Sequence, residues 1–246
     1  MTSLPTDPDI ADRVLLDLGR EAFKHARELL RAARLVLDAE IWSVAYANAA
    51  LALEEIGKGV MCTAILPLPD GKRQEEMEAF RARVTDHGAK SFCAQLVLGM
   101  AGEGAPDSVE ELFKQADRNA RRTNKNKFRG LYVDYKNTGH ILRPSDITKT
   151  QATELIATAE KALAISEGAE DALSRPDLYM QLIRHVRAGA ADGVWEVLTE
   201  EAGQVALAMP AVARDELSPQ EALQGTAMAK LLEGLIPATA EEPTTL

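Results

Sequence analysis

The sequence predicts an all-α protein, a helical bundle with one short irregular or β-like excursion, and three observations predict it. Apolar residues recur at steps of three and four through one segment after another, the repeat that gathers them on one face of a helix. The composition, 46% hydrophobic and only 4% aromatic, is weighted toward Ala, Leu, Glu and Arg and away from the β-branched and aromatic residues that favour strand. A single stretch, near residue 130, is short, apolar and β-prone. The 246 residues suffice for one large or two small domains with a buried core.

The first helix runs from about residue 10 to 38. Leu15, Leu18, Ala22, Ala26, Leu29, Ala33 and Val36 form its apolar face, and Arg13, Arg20, Lys24, Arg27, Arg31 and Arg34 line the other. The second carries Trp42, Ala45, Ala49, Ala52, Ile56 and Gly59 and ends before Pro67. Its small residues invite close approach by a neighbouring helix and would suit a homodimer. After the turn at Pro67 to Gly71, a third helix strings Met77, Phe80, Val84, His87, Ser91 and Leu98 on one stripe until Gly102 to Pro106 breaks it. A fourth, more polar helix starts near Ser108.

Gly130-Leu-Tyr-Val-Asp-Tyr135, with the turn signal Asn137-Thr-Gly139 behind it, marks an ordered non-helical excursion over 129–144. Thr148 and Gln151 make a capping box for a fifth helix reaching about Glu167. Further helices are expected at about 176–188, 191–208 and 218–235, with Pro210 and Pro237 as stops and Glu241 to Leu246 frayed. The chain thus divides into a helical domain over 10–171 and an acidic helical extension over 172–240, either appended or packed on the same bundle.

The net charge of −10 is unevenly spread. Residues 188–246 hold ten acids against the two bases Arg214 and Lys230, whereas residues 1–187 hold 28 acids and 26 bases. Within that neutral part, Arg118, Arg121, Arg122, Lys125, Lys127 and Arg129 place six bases in twelve residues with no acid among them. A local basic strip therefore survives a negative total. The two cysteines, Cys62 and Cys93, lie far apart in apolar stretches without metal-ligand spacing, so neither a disulfide framework nor a zinc site is expected. No basic-then-apolar leader and no membrane-length apolar run is visible, and a cytoplasmic protein is the expectation. A Gly-rich phosphate loop, His-Glu-x-x-His and Gly-x-Ser-x-Gly are all absent, and no cofactor or metal is expected.

Three constellations could carry chemistry. In Leu53-Glu-Glu-Ile-Gly-Lys58, Glu54 and Glu55 stand four and three residues before Lys58, as a surface ion pair or as a buried polar cluster. On the third helix Arg83, His87 and Lys90 fall on one face, where two cations could hold a phosphate and the imidazole could move a proton. His87 also lies on the apolar stripe, as a satisfied core histidine would. The strip from Arg118 to Arg129, followed by Tyr132 and Tyr135, offers phosphate contacts beside surfaces on which bases stack; the other reading is a solvated helix end with Tyr132 and Val133 packed inward.

Taken in order, Ala49-Ala-Leu-Ala-Leu-Glu-Glu-Ile-Gly-Lys58, Asp86-His-Gly-Ala-Lys90 and Phe128-Arg-Gly-Leu-Tyr-Val-Asp-Tyr135 resemble the AbiV family of bacterial abortive-infection proteins, itself similar to the helical HEPN superfamily. The resemblance covers roughly residues 12–170. It implies antiphage defence by a toxin-like effector acting on RNA or translation, with a metal-independent endoribonuclease as one form. Catalytic HEPN domains pair an arginine with a histidine across four to six intervening residues, and Arg20 with His25 and Arg81 with His87 both meet that spacing. From the residues, the preferred site is His87 with Arg83 and Lys90, near a polar cluster of Glu54, Glu55, Lys58, Tyr132 and Asp134. Glu55 and Lys58 are expected to face Tyr132 and Asp134. The partners implied are RNA, or a phage-encoded or host protein bound by a non-enzymatic helical defence protein.

Overall fold

The computed structural model describes residues 8–68, 70–100, 109–135 and 140–189. Among them the chain forms α1 (Pro8–Asp38), α2 (Trp42–Ile65), α3 (Asp70–Thr85), α4 (His87–Met100), α5 (Val109–Leu131), a two-stranded ribbon β1 (Asp134–Tyr135) and β2 (Ile141–Leu142), a 3-10 turn at Pro144–Asp146, α6 (Lys149–Ile165), α7 (Glu167–Ser174) and α8 (Pro176–Gly189). The all-α bundle expected from the sequence is what the chain adopts. The break at Gly102 to Pro106, the turn at Asn137 to Gly139, the helices at 191–208 and 218–235 and the end at Glu241 to Leu246 lie outside the described residues.

Helix α2 is the axis of the bundle and packs against α1, α4, α5 and α6. Its sequence explains why. Ala45, Ala47, Ala49, Ala50, Ala52, Gly57 and Gly59 are all buried, so side chains on several faces are small enough for other helices to close in. A Cβ on Gly57 would stand 1.9 Å from the Lys90 carbonyl oxygen of α4, and one on Gly59 would stand 2.5 Å from the Phe23 ring of α1. The stripe that suggested a homodimer is thus consumed within the chain. Around α2, Leu15, Phe23, Leu53, Ile56, Leu66, Ile147, Leu173 and Ile183 are fully buried. At about 25 cal/mol per Å2 of apolar surface removed from water, this core is the main stabilising contribution.

Two local structures differ from the sequence expectation. The third helix is in fact two, because Asp86 accepts a hydrogen bond from the Ala89 backbone N–H (2.6 Å) and caps α4, while its own N–H closes on Arg83 O (3.1 Å) and ends α3. The excursion begins later than residue 129, since Gly130 and Leu131 remain in α5; the ribbon that follows pairs Asp134 with Leu142 and Tyr135 with Ile141. The capping box of α6 is present as expected, with the Gln151 N–H donating to Thr148 Oγ1 (3.2 Å) and the Thr148 N–H to Gln151 Oε1 (2.9 Å). That helix stops at Ile165, and α7 takes over after Ser166.

Long-range ion pairs bind the outer helices. Arg27 and Arg34 of α1 reach Glu170 of α7 and Glu160 of α6. Asp12 of α1, fully buried, accepts from Arg73 of α3 and from two nitrogens of Arg187 of α8 (2.7 and 3.1 Å). Among the described residues no helix is long and apolar enough to cross a membrane.

Candidate functional site

Successive residues of a helix point about 100° apart, so Glu54 and Glu55 leave α2 in different directions. Glu54 shares the face of Tyr46, Ala50 and Gly57, which is turned toward α4 and α5. There its carboxylate, 2% exposed, becomes the centre of a charge cluster. Glu54 Oε2 bonds His87 Nδ1 at 2.6 Å, Oε1 accepts from Lys127 Nζ, and Lys90 Nζ stands 3.8 Å from Oε2. Lys127 and Lys90 are buried with it. The seam continues toward the start of α2, where the Tyr46 hydroxyl meets Asn126 and Thr123 of α5, and burial pushes its phenol up.

His87, the first residue of α4, occupies the boundary of this cluster. Its side chain remains 49% exposed although its Nδ1 is anchored to a buried acid. A carboxylate flanked by ammonium groups can only accept, so Nδ1 carries a hydrogen, and in the neutral imidazole Nε2 is the atom with the lone pair. Nε2 has no partner among the described residues. A histidine so oriented can take up a proton at Nε2 while the buried carboxylate stabilises the imidazolium formed, the arrangement by which a carboxylate supports a general base. Phe128 of α5 meets the imidazole edge-to-face, with centroids 6.2 Å apart and planes at 89°.

The other residues singled out from the sequence are distributed as follows. Glu55 and Lys58 pair with each other at 2.6 Å, but on the α1 side of α2, where with Glu21, Lys24, His25 and Glu28 they line a depression of about 330 Å3. They do not face Tyr132 and Asp134, which are exposed beyond the end of α5. Lys58 takes Glu55 alone, because Glu54 is held inside by interior cations. Arg83 stays on α3, beyond the break at Asp86, and pairs with Glu76 at 3.5 Å; the single face imagined for Arg83, His87 and Lys90 required a continuous helix. Lys90 is interior and presents no charge to solvent. His25 sits 3.4 Å from Glu28, and Arg20 pairs with Asp17 at 2.8 Å.

The basic strip is also partitioned. Lys127 is 1% exposed and belongs to Glu54, so it is no RNA contact. Arg129 bridges to Asp146 at 2.9 Å; the Arg143 backbone N–H and this guanidinium hold that carboxyl below its usual range. Arg118 pairs with Glu111 (2.7 Å) and Arg121 with Asp117 (2.8 Å) on their own helix. Arg122 and Lys125 are exposed and make no salt bridge among the described residues.

Two residues of the site were not read from the sequence in these roles. Lys127 falls on the buried stripe Leu112, Ala116, Ala120, Thr123, Lys127, whose steps of four, four, three and four mark it as interior. Phe128 gave no such sign, since its importance comes from the contact with His87. Burial pushes the Cys62 and Cys93 thiols up to about 12 and about 11, so neither is a nucleophile at neutral pH. Among the described residues no group of His, Cys, Asp and Glu is placed to hold a metal ion.

The sequence model of the HEPN-type family AbiV matches residues 14–164, more than half of the chain and all of the elements that build the Glu54 cluster. The chain belongs to the AbiV family. No curated protein and no solved structure gives a significant match. AbiV is a family of abortive-infection proteins, and membership connects this bundle with antiphage defence. In this AbiV protein the three segments that carry the resemblance are not scattered. Glu54 from the first, His87 and Lys90 from the second, and Phe128 from the third, next to Lys127, meet at the junction of α2, α4 and α5.

Proposed function

We propose that the protein is an RNA-directed effector of abortive infection and that His87, oriented by Glu54, is its proton-transferring group. The observation that carries this reading is a half-exposed imidazole whose Nδ1 is fixed by a buried carboxylate and whose Nε2 has no partner among the described residues. In that role Nε2 takes the proton of a ribose 2′-hydroxyl as its oxygen attacks the adjacent phosphorus. The bond from phosphorus to the 5′-oxygen breaks, a 2′,3′-cyclic phosphate forms, and the imidazolium returns the proton to the leaving 5′-oxygen. Arg122 and Lys125, exposed and without a salt bridge among the described residues, supply cations from α5.

The test is expression of wild type beside His87→Ala and Glu54→Gln, scored for growth arrest and for RNA fragments ending in cyclic phosphate. His87→Ala should bind RNA as wild type does and produce no fragments. Unchanged toxicity and cleavage in His87→Ala would remove the imidazole from the chemistry. Replacing Arg122 and Lys125 together by Gln should flatten the dependence of binding on salt by about 1.4, two contacts at ~0.7 each for a single strand. A second reading, capture of a phage or host protein without catalysis, is favoured by the exposed Val133 and Tyr135 on the ribbon side of the site. Salt-insensitive binding, or none at physiological ionic strength, would favour it.

A further inference from the structure

Phe128, Leu131, Tyr132, Val133 and Tyr135 are all exposed within eight residues, a cluster that a helix end in water has no reason to keep. Two of them are ordered with respect to each other. The Phe128 and Tyr132 rings stack with centroids 6.4 Å apart and planes 23° from parallel. Lys127 Nζ lies 4.6 Å from the Phe128 centroid, and because that lysine is buried it approaches from within the bundle, while Phe128 as a residue is 43% exposed. The other side of the site is polar: His87 stands against Phe128 in an edge contact. Lys125 and Arg121 precede Phe128 by three and seven residues on the same face of α5, and the Tyr132 N–H still bonds to Phe128 O (2.9 Å), so the helical register carries through to the second ring.

We propose that Phe128 and Tyr132 form a base-stacking subsite that selects unpaired nucleotides and sets the neighbouring ribose at His87 Nε2. The inference rests on the RNA reading above and names the class of RNA. A protein-binding core would be apolar at its centre with charges excluded. Here two cations, Arg121 and Lys125, precede two aromatic rings, Phe128 and Tyr132, along one side of α5 and its end, with an imidazole of α4 against the first ring, the combination that holds a single strand through its bases and its phosphates together. A duplex offers no base face to such a platform, because its bases are already stacked on each other.

The experiment compares binding of a fluorescent single-stranded RNA, the same RNA annealed to its complement, and a single-stranded DNA of the same sequence to wild type, Phe128→Ala and Phe128→Trp. Wild type should prefer the single-stranded RNA over the duplex and bind the DNA strand within a few-fold, since stacking is indifferent to the sugar. Phe128→Ala should weaken single-strand binding by roughly tenfold or more, the loss of one stacked base, with the salt dependence unchanged; Phe128→Trp should restore it. A 2-aminopurine in the strand should be quenched on binding to wild type and stay bright at saturation with Phe128→Ala. Circular-dichroism melting is the check that Phe128→Ala is folded.

If Phe128→Ala binds and quenches like wild type, or if the duplex binds equally well, the stacking subsite is overturned while the RNA reading stands. If wild type binds neither strand, both are overturned, and the exposed aromatics become a protein contact.

Discussion

Replacing Lys127 by Met separates the structure's account of the basic strip from the one the sequence suggests. As one of six cations in twelve residues it would be an RNA contact, and its loss would cost binding alone. In the structure its ammonium is buried against Glu54, with both residues at 2% exposure or less. Removing one member of a buried pair leaves the other desolvated, which typically costs about 3–5 kcal/mol. His87 at 2.6 Å and Lys90 at 3.8 Å remain beside Glu54, so the low end applies, about 3 kcal/mol. For a protein of this size that lowers the melting temperature by roughly 6–12 °C.

The assay is thermal unfolding followed by circular dichroism for Lys127→Met, Glu54→Gln and the double variant. The double variant should lose clearly less than the sum of the single losses, because the second change removes the charge that the first had stranded. Lys125→Gln, two residues away and exposed, should melt within about 2 °C of wild type. The reasoning is refuted if Lys127→Met melts within the same margin, or if the two changes simply add.

Gly57→Ala should destabilise the bundle by about 1–3 kcal/mol or more, because its Cβ would stand 1.9 Å from the Lys90 carbonyl and α2 and α4 would have to part; a urea titration measures it. Since α4 begins with His87, the same variant should also loosen the Glu54 contact. The stability difference between wild type and Asp146→Asn should be present at neutral pH and fade in acid. The folded-state carboxyl lies below its ordinary value of 3.8, so the stability it contributes exists above that value and is lost as the pH falls through the lower folded one; melting curves from pH 7 to pH 2 check the sign.

The sequence by itself determined the helices and their inner faces, because a helix's buried side is written in a local repeat. Leu15, Ala22, Ala26 and Ala33 on α1 and Ala45, Ala49, Ala52, Ile56 and Gly59 on α2 are buried as that repeat requires, with Leu18 and Leu29 partly buried against the core. Chain-local chemistry was legible too, as at Thr148 and Gln151. The same chemistry marks the break between α3 and α4: Asp86, a favoured capping residue, ends one helix and starts the next inside a stripe whose periodicity runs straight through it. What only the tertiary structure decided is which charges meet. Glu54 and Glu55 are adjacent and identical in type, and nothing local says that one will face α4 and α5 while the other faces α1. That outcome follows from the angle at which helices pack around α2. An ion pair depends on distances between segments far apart in sequence, with Lys127 lying 73 residues from Glu54. A one-dimensional pattern specifies direction from a helix axis, and only packing supplies the partner found in that direction.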